Sequence, residues 1–164
     1  MGRTTPLRGE IKRVFIPYLV ERGFAVDMRY APQVYTFRRT EPEAVKVCDV
    51  QWDKYGRPRF AMNFGKCAGE GVTFAGKVIL PGDIFPAHAP AWGRLRQNRL
   101  WIGDSWFRQD IPLLRRLASF RKLDSAQAVV SRLIARFPEV EAYWASGLVG
   151  PHIRLLSNPS RTPS

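Results

Sequence analysis

The sequence has few of the residues that build disulfide, metal or thiol-based catalytic sites. Its 164 residues include two cysteines, Cys48 and Cys67, and two histidines, His88 and His152. A secreted protein held together by disulfides would carry more cysteines, and no two of these four side chains have the spacing of a zinc site. We therefore predict no metal site and expect both cysteines to behave as small buried apolar residues.

Motifs for nucleophilic catalysis and for phosphate binding are also missing. The chain has no Gly-x-Ser-x-Gly nucleophile elbow, and the short run 69–71 does not continue into a glycine-rich loop that opens a helix. Cys67 and His88 could be imagined as a nucleophile and its base, but a buried structural cysteine is the simpler interpretation. We predict no catalytic residue and no cofactor.

Long hydrophobic runs are absent as well. None approaches the roughly 20 residues that cross a membrane, and the N-terminus lacks the apolar stretch of a signal peptide. We therefore expect a cytoplasmic protein with no membrane partner. Apolar residues still make up 45% of the chain, which suits one folded core. We predict a single domain over 1–156 and a flexible polar tail over 157–164.

Negative charge is scarce relative to positive charge. Lys and Arg number 26 against 14 Asp and Glu, which gives a net charge of +12 and a pI of about 10.5. This balance favours acidic partners, namely nucleic acid, an acidic protein surface or anionic lipid. Arginine supplies 20 of the basic residues, and such usage also accompanies genomes rich in G and C. The charge alone therefore does not choose a partner.

Hydrophobic periodicity predicts an amphipathic helix at the start of the chain. Apolar residues recur at spacings of three and four over 6–23, which defines one helical face. Thr5 is expected to cap this helix, and Gly23 suits the position just past its end. Pro17 lies inside the pattern, so we expect the helix to kink or divide near Ile16.

Further helices are predicted in the second half of the chain. The segment 111–120 looks helical, and Ser125 is a plausible cap for a helix over 126–137. Pro138 is expected to end that helix, with another short helix over 139–145.

Alternating apolar residues and turn signals predict strands between these helices. The predicted strands cover 24–28, 34–39, 45–53, 59–66, 72–80 and 94–101, with an irregular loop over 81–93. Strands in a run with short turns indicate an antiparallel sheet. We therefore predict an α+β fold: an antiparallel sheet of four to five strands with an N-terminal helix and C-terminal helices packed on it.

The hairpin formed by 45–53 and 59–66 has a register that its side chains define. If facing residue numbers sum to 112, the apolar pairs on one face are Trp52 with Phe60, Val50 with Met62 and Cys48 with Phe64. A slip by one residue would break this pattern, because strand side chains alternate with period two. The same register directs Cys48 and Cys67 to opposite faces, so we expect no disulfide between them.

The opposite face of this hairpin would be polar. It carries Asp49, Gln51 and Asn63, and it places Asp53 across from Arg59. A solvated polar face is typical of an antiparallel sheet. If the late helices covered this face instead, its side chains would have to form a hydrogen-bonded network. Two carboxylates on one strand face could also serve an enzyme, provided that a concave pocket lies over them.

The densest positive charge lies in the segment 94–122, which has eight basic residues and two acidic ones. Arginine can contact phosphates and tryptophan can stack on bases. The candidate binding residues are Trp92, Arg94, Arg96, Arg99, Trp101, Trp106 and Arg108. The alternative is that the tryptophans belong to the core and the arginines form a solvated rim. In a strand, Arg94 and Arg96 would share a face and Arg99 would point the other way.

Several short motifs give the chain a resemblance to a known family. They are Gly23-Phe24, Tyr35-x-Phe37-Arg38, Gln51, Phe60-x-x-Asn63-Phe64-Gly65, Gly93-Arg94-Leu95 and Asp104-Ser-Trp106-Phe107. Their order resembles the bacterial family known as domain of unknown function 4304, over residues 7–145. The resemblance implies a cytoplasmic α+β domain in bacteria. It carries no agreed activity, so it transfers no catalytic residue.

Three functions follow as hypotheses. The first is a non-enzymatic binding protein that uses the segment 92–108 to contact an acidic protein, for example a toxin in a toxin–immunity pair. The second is nucleic-acid binding through the same segment. The third is an enzyme that uses the polar sheet face with Asp53 or His88.

Overall fold

The computed structural model describes residues 4–98, 105–109 and 124–157. The helical elements in these ranges are α1 (Thr5–Glu10), a π-helical turn (Ile11–Phe15), α2 (Ile16–Val20) and α3 (Ala126–Ser146). The strands are β1 (Ala25–Asp27), β2 (Val34–Thr40), β3 (Ala44–Trp52), β4 (Arg59–Ala68), β5 (Val72–Phe74), β6 (Lys77–Ile79), β7 (Ala91–Leu95), β8 (Phe107–Arg108) and β9 (Ile153–Ser157). Two 3₁₀ turns, Pro81–Asp83 and Pro86–His88, lie between β6 and β7.

The main sheet is antiparallel and contains seven of these strands. Its order is β1–β2–β3–β4–β7–β9, and β8 also pairs with β4. Strands β5 and β6 form a separate hairpin. The predicted α+β class is therefore confirmed, while the predicted count of four to five strands was too low for the part of the chain that is described.

The predicted register of β3 and β4 is confirmed. Every pair that sums to 112 is observed, including Trp52 with Phe60, and Asp49 with Asn63. Asp53 and Arg59 meet as an ion pair of 2.6 Å. The two cysteines form no disulfide with each other; both are buried, and they belong to different apolar clusters, as the alternation of side chains requires.

The helices cover one face of the sheet and bury the main core against it. The largest fully buried side chains in this core are aromatic: Phe15, Tyr35, Phe37, Phe60, Phe64, Phe107, Phe137 and Trp144. The opposite face carries a smaller apolar cluster, made by Val45, Val47, Cys67, Ile84 and Ala89. The last two of these belong to the loop between β6 and β7, so a loop covers the face that the helices leave open.

The N-terminal helix divides where Pro17 was expected to disturb it. The Ile16 N–H donates to the Ile11 carbonyl in a π-helical turn, and α2 then begins with Pro17 in its first turn, where a proline costs least. Gly23 follows with a φ of 82°, as predicted. The predicted cap was wrong, because Thr5 is itself the first helical residue.

Helix α3 begins as predicted and ends later than predicted. Ser125 Oγ accepts a hydrogen bond from the Ala128 N–H at 3.0 Å. The helix then continues through Pro138 to Ser146, so the predicted stop and the separate helix over 139–145 were wrong. A proline inside a helix costs about 3 kcal/mol. Burial of Val140 and Trp144 beyond it offsets that cost.

The segment 72–80, predicted as one strand, is the hairpin β5–β6. Ala75 and Gly76 form its turn with φ values of 49° and 74°. Two successive positive φ angles match the tight turn that reverses a strand. An alanine in this conformation is uncommon, which is why composition alone did not mark the turn.

Strands β8 and β9 were not predicted. Strand β9 returns to the sheet after α3 and pairs with β7, where Ile153 faces Leu95. It ends at Ser157, where the polar tail had been predicted to begin. The predicted helix over 111–120, the end of the predicted strand 94–101 and the tail 158–164 lie outside the described residues.

Candidate functional site

Four side chains from three neighbouring strands form a hydrogen-bonded network on the open face. Arg94 of β7 donates through Nε to Asn63 Oδ1 of β4 at 2.8 Å. Asn63 Nδ2 then donates to Asp49 Oδ1 of β3 at 2.7 Å and to Gln51 Oε1 at 3.3 Å. Strand pairing aligns them, because Asn63 lies directly opposite both Asp49 and Arg94.

The polar face is less solvated than predicted. Gln51 is exposed, but Asp49 and Asn63 are only 8% and 4% exposed to solvent. The expectation of a solvated face was therefore wrong for these two residues. Among the described residues, the cover differs from the alternative we considered: it comes from the loop between β6 and β7 and from the turn before β2, not from helix α3. The side chains form the hydrogen-bonded network that burial demands.

Burial changes the acid–base properties of this network. It raises the pKa of Asp49 to about 7, although the hydrogen bond from Asn63 and the charges of Arg94 and Arg38 act in the opposite direction. Burial also lowers the pKa of Arg94, which stays a cation at neutral pH. Asp49 thus exchanges a proton in the neutral range, where an ordinary aspartate is fully ionised.

A cleft of about 700 Å³ opens above the network. Asp49, Gln51 and Asn63 form its polar floor, while apolar and aromatic side chains dominate its walls. The lining residues are Arg29, Tyr30, Ala31, Gln33, Val34, Asp49, Gln51, Asn63, Phe85, Pro86, Ala87 and Trp92. The concave pocket that the enzyme hypothesis requires is therefore present.

One wall of the cleft depends on a close approach between β4 and the loop. A Cβ atom on Gly65 would lie 2.7 Å from Ala89 Cβ and 2.9 Å from the Pro86 carbonyl oxygen. A residue with a side chain would therefore push the loop away. The Gly65 carbonyl also accepts a hydrogen bond from Trp144 Nε1 at 3.0 Å on the helical side, so this strand position joins both layers.

Ion pairs hold the other end of the same loop. Arg38, itself buried, donates to the Ile84 carbonyl at 2.7 Å and pairs with Asp27 at 2.7 Å. Arg29 pairs with both Asp27 and Asp83 at 2.7 Å. Hydrogen bonds from Arg29 hold the pKa of Asp27 well below its usual range, assisted by Arg38. These contacts fix the loop as a preformed wall.

Next to the cleft, arginines face one another across strand pairs. Arg94 of β7 lies directly opposite Arg154 of β9, and Arg59 of β4 lies opposite Arg108 of β8. The period-two alternation places all four on the face that carries Asn63. The ring of Trp106 lies beneath the guanidinium of Arg59 at 4.7 Å and that of Arg94 at 6.0 Å. We call these four residues together with Arg96 and Trp106 the arginine face.

The arginine face contains part of the predicted binding segment. Arg96 follows β7 on the same partly exposed side as Arg94, as the strand pattern predicts, and its N–H donates to the His152 carbonyl. Trp92 lies apart from this cluster, because it lines the cleft and packs on the smaller apolar cluster. The predicted residues Arg99 and Trp101 lie outside the described residues.

Two members of the arginine face were missed from the sequence. Arg59 was expected only to pair with Asp53, which it does at 2.6 Å. Arg154 gave no signal, because its strand was not predicted and its neighbour Arg94 is 60 positions earlier. Only pairing of β9 with β7 brings these two charges together.

Comparison with family models, with curated proteins and with solved structures finds no match. The resemblance to domain of unknown function 4304 stays a prediction.

Other sites considered from the sequence find little support. Over residues 4–98, 105–109 and 124–157, no three His, Cys, Asp or Glu side chains come together as a metal site would require. In the same ranges, no helix combines the length and the apolar character needed to cross a bilayer.

Burial raises the pKa of Cys48, which keeps it as an inert thiol. His88 Nδ1 accepts a hydrogen bond from the Phe85 N–H at 3.1 Å, so this atom already has a structural role.

Proposed function

We propose that this protein binds an acidic segment of a partner protein through the arginine face. The observation that supports the proposal is that Arg94 lies opposite Arg154, and Arg59 opposite Arg108, on one side of the sheet. Like charges directly opposite each other destabilise a sheet. Carboxylates of a partner would offset this repulsion and form charge-assisted hydrogen bonds with the guanidinium groups.

Within the described ranges, the protein's own carboxylates pair with only part of this charge. Asp53 pairs with Arg59 and lies 3.8 Å from Arg57. Asp49 lies within reach of Arg94 only through Asn63. Among the described residues, no carboxylate pairs with Arg154, whose side chain is exposed. Charge complementarity therefore favours an anionic partner at this position.

Apolar side chains on the same side of the sheet as the arginine face favour a protein over a nucleic acid. Leu156 shares the Arg154 side of β9, because side chains alternate along a strand. It lies opposite Trp92, and both side chains are only half-buried. Protein interfaces combine apolar contacts with arginine and aromatic residues. A phosphate backbone offers nothing to apolar side chains of this kind.

The environment of Trp106 points in the same direction. Base stacking uses an open aromatic face, but Trp106 is half-buried and has the Arg59 guanidinium over its ring. The tryptophan therefore serves to hold two arginines by cation–π contact, rather than as a platform for bases.

The experiment compares two anionic probes of equal charge by fluorescence anisotropy at low and moderate salt. One probe is a labelled peptide of alternating Glu and Leu, and the other is a labelled oligo(dT). We expect the peptide to bind more tightly. Arg154→Glu should weaken peptide binding by about tenfold or more, because it reverses one charge in the contact.

Lys77→Glu is the matched control, because it makes the same change of charge on the separate hairpin. Peptide affinity should stay within about twofold in this variant. Equal losses in both variants would show that only the overall charge matters, and would overturn the proposal. Tighter binding of oligo(dT) would favour the nucleic-acid hypothesis instead, and no peptide binding even at low salt would contradict both.

A further inference from the structure

The cleft floor presents a hydrogen-bonding pattern that the network fixes. Arg94 can only donate hydrogen bonds, so the atom of Asn63 that meets its Nε at 2.8 Å has to be the oxygen. The Asn63 amide nitrogen therefore points at Asp49 and Gln51, and one oxygen of each accepts from it. The hydrogen bond from Arg94 therefore fixes the orientation of the Asn63 amide, and through it those of the Asp49 carboxyl group and the Gln51 amide.

Two polar atoms remain for a ligand. Asp49 keeps its second oxygen, Oδ2, and Gln51 keeps its amide nitrogen, Nε2. Neither atom has a hydrogen bond to another described residue, and both side chains line the cleft. Asp49 is more than nine-tenths buried, but Oδ2 is not among the fully buried atoms that lack a hydrogen-bond partner. The small exposure that remains opens into the cleft that this side chain lines, so Oδ2 can accept a hydrogen bond from a ligand there.

The charges around the cleft disfavour ionic ligands. Arg38 and Arg94 face Asp49 from the neighbouring strands. At the rim, Arg29 is held by Asp27 and Asp83. A cation would meet these guanidinium groups and the net charge of +12. An anion would meet the free Asp49 oxygen, which repels it when ionised.

The walls suit a flat molecule. Tyr30 and Phe85 contact each other edge to face, with ring centroids 5.5 Å apart, and Trp92 lines the cleft with them. Aromatic walls pack favourably against a planar ring. The volume of about 700 Å³ lies within the range of small-molecule sites.

We propose that this cleft binds an uncharged, flat molecule that carries an N–H donor beside a carbonyl acceptor, such as an aromatic amide or a heterocycle with a lactam edge. The N–H donates to Asp49 Oδ2, and the carbonyl accepts from Gln51 Nε2. The walls hold the ring. This site shares Arg94 with the arginine face through the hydrogen bond to Asn63, but it does not depend on the function proposed for that face.

The experiment titrates the ¹⁵N-labelled protein with three probes of the same shape. They are benzamide, which is neutral with a donor and an acceptor, benzoate, which is an anion, and benzamidinium, which is a cation. We expect benzamide to bind at least about tenfold more tightly than either ion, a difference typical of a matched polar edge. Its binding should shift the side-chain amide signals of Gln51 and Asn63.

Two variants test the assigned atoms. Gln51→Ala removes an exposed side chain and should weaken benzamide binding several-fold without disturbing the fold. Asp49→Asn places a donor against the ligand N–H and should weaken it about tenfold. Glu10→Gln, which makes the same carboxyl-to-amide exchange on α1, is the control and should leave benzamide affinity unchanged. If Gln51→Ala binds benzamide like the unmodified protein, the proposal fails.

The pH dependence gives an independent readout. A ligand N–H binds the ionised carboxylate, so benzamide affinity should rise as the pH increases through about 7, the pKa of Asp49. Affinity at pH 6 should be roughly tenfold lower than at pH 8. The opposite trend, preference for either ion, or no binding of any probe at millimolar concentration would each overturn the proposal.

Discussion

The two faces of the sheet use alternate residues of the same strands in different ways. On the helical face, Cys48, Val50 and Phe64 belong to one continuous apolar core. On the other face, the next residues along the same strands, Asp49 and Asn63, form a hydrogen-bonded network beneath a loop. The helical face supplies burial, whereas the open face supplies a polar floor and concentrated charge, the two features on which the proposed binding sites depend.

The contrast also lies in how each face is covered. Helix α3 packs a long stripe of apolar side chains against one face of the sheet, and this packing excludes water and polar side chains. The loop between β6 and β7 covers only part of the other side, and it leaves a cleft above the polar floor. Partial cover buries polar groups without filling all their hydrogen-bonding positions, which is the usual condition of a binding site.

The largest expected effect tests whether the helical face carries the stability. Phe64 is fully buried and contacts Tyr143 and Trp144, with ring centroids 5.5 and 6.3 Å away. Phe64→Ala should lower the free energy of unfolding by about 3–5 kcal/mol, measured by urea denaturation. Gln51→Ala on the other face should change it by less than about 0.5 kcal/mol. Equal losses would remove the distinction between the faces.

A smaller effect tests the polar face through pH. The pKa of Asp49 rises from an ordinary 3.8 to about 7 on folding, so the folded state binds this proton more tightly. Its contribution to stability is complete below pH 4 and is lost as the pH rises through 7. Relative to Asp49→Asn, the unmodified protein should lose on the order of 3 kcal/mol between pH 4 and pH 8.

Urea denaturation of both proteins across this range measures the difference. Groups with a lowered pKa, such as Asp27, titrate in both proteins and cancel in the comparison. A difference that stays constant with pH would mean that Asp49 titrates as an ordinary carboxylate, and it would place the group in solvent.

The smallest effect tests the contact between the sheet and its loop cover. Gly65→Ala brings a Cβ against Ala89 and Pro86 and should cost about 1–3 kcal/mol through displacement of the loop. The amide signals of residues 84–89 should shift with it. Gly82→Ala is the matched control, since its Cβ would meet nothing within 4 Å. If both variants behave alike, the loop does not depend on this approach.

Local patterns predicted the centre of the sheet well. The β3–β4 register could be derived because apolar and polar residues alternate strictly, so one offset satisfies both faces. The same alternation separated the cysteines and placed Asp49, Gln51 and Asn63 together. The division of the N-terminal helix near Ile16 also followed from one residue, Pro17, because a proline acts on its own turn.

Other features depended on contacts distant in sequence. Helix α3 passes through Pro138 because core contacts of Trp144 outweigh a local preference. Strand β9 forms by pairing with β7. Its own sequence has no alternation of apolar and polar residues that would predict a strand. The candidate binding site was predicted in part: Arg94 and Trp106 were named, while Arg59 and Arg154 joined them only through strand pairing.

The sequence by itself determined the α+β class, the register of the central hairpin and the excess of positive charge, because each follows from residue type and local spacing. The tertiary structure decided which face of the sheet the helices cover and which arginines lie opposite each other in paired strands. It also placed a loop over the polar face. These outcomes depend on pairing and packing between segments distant in sequence. There, the free energy gained by burial exceeds the small free-energy preference of each residue for helix or strand.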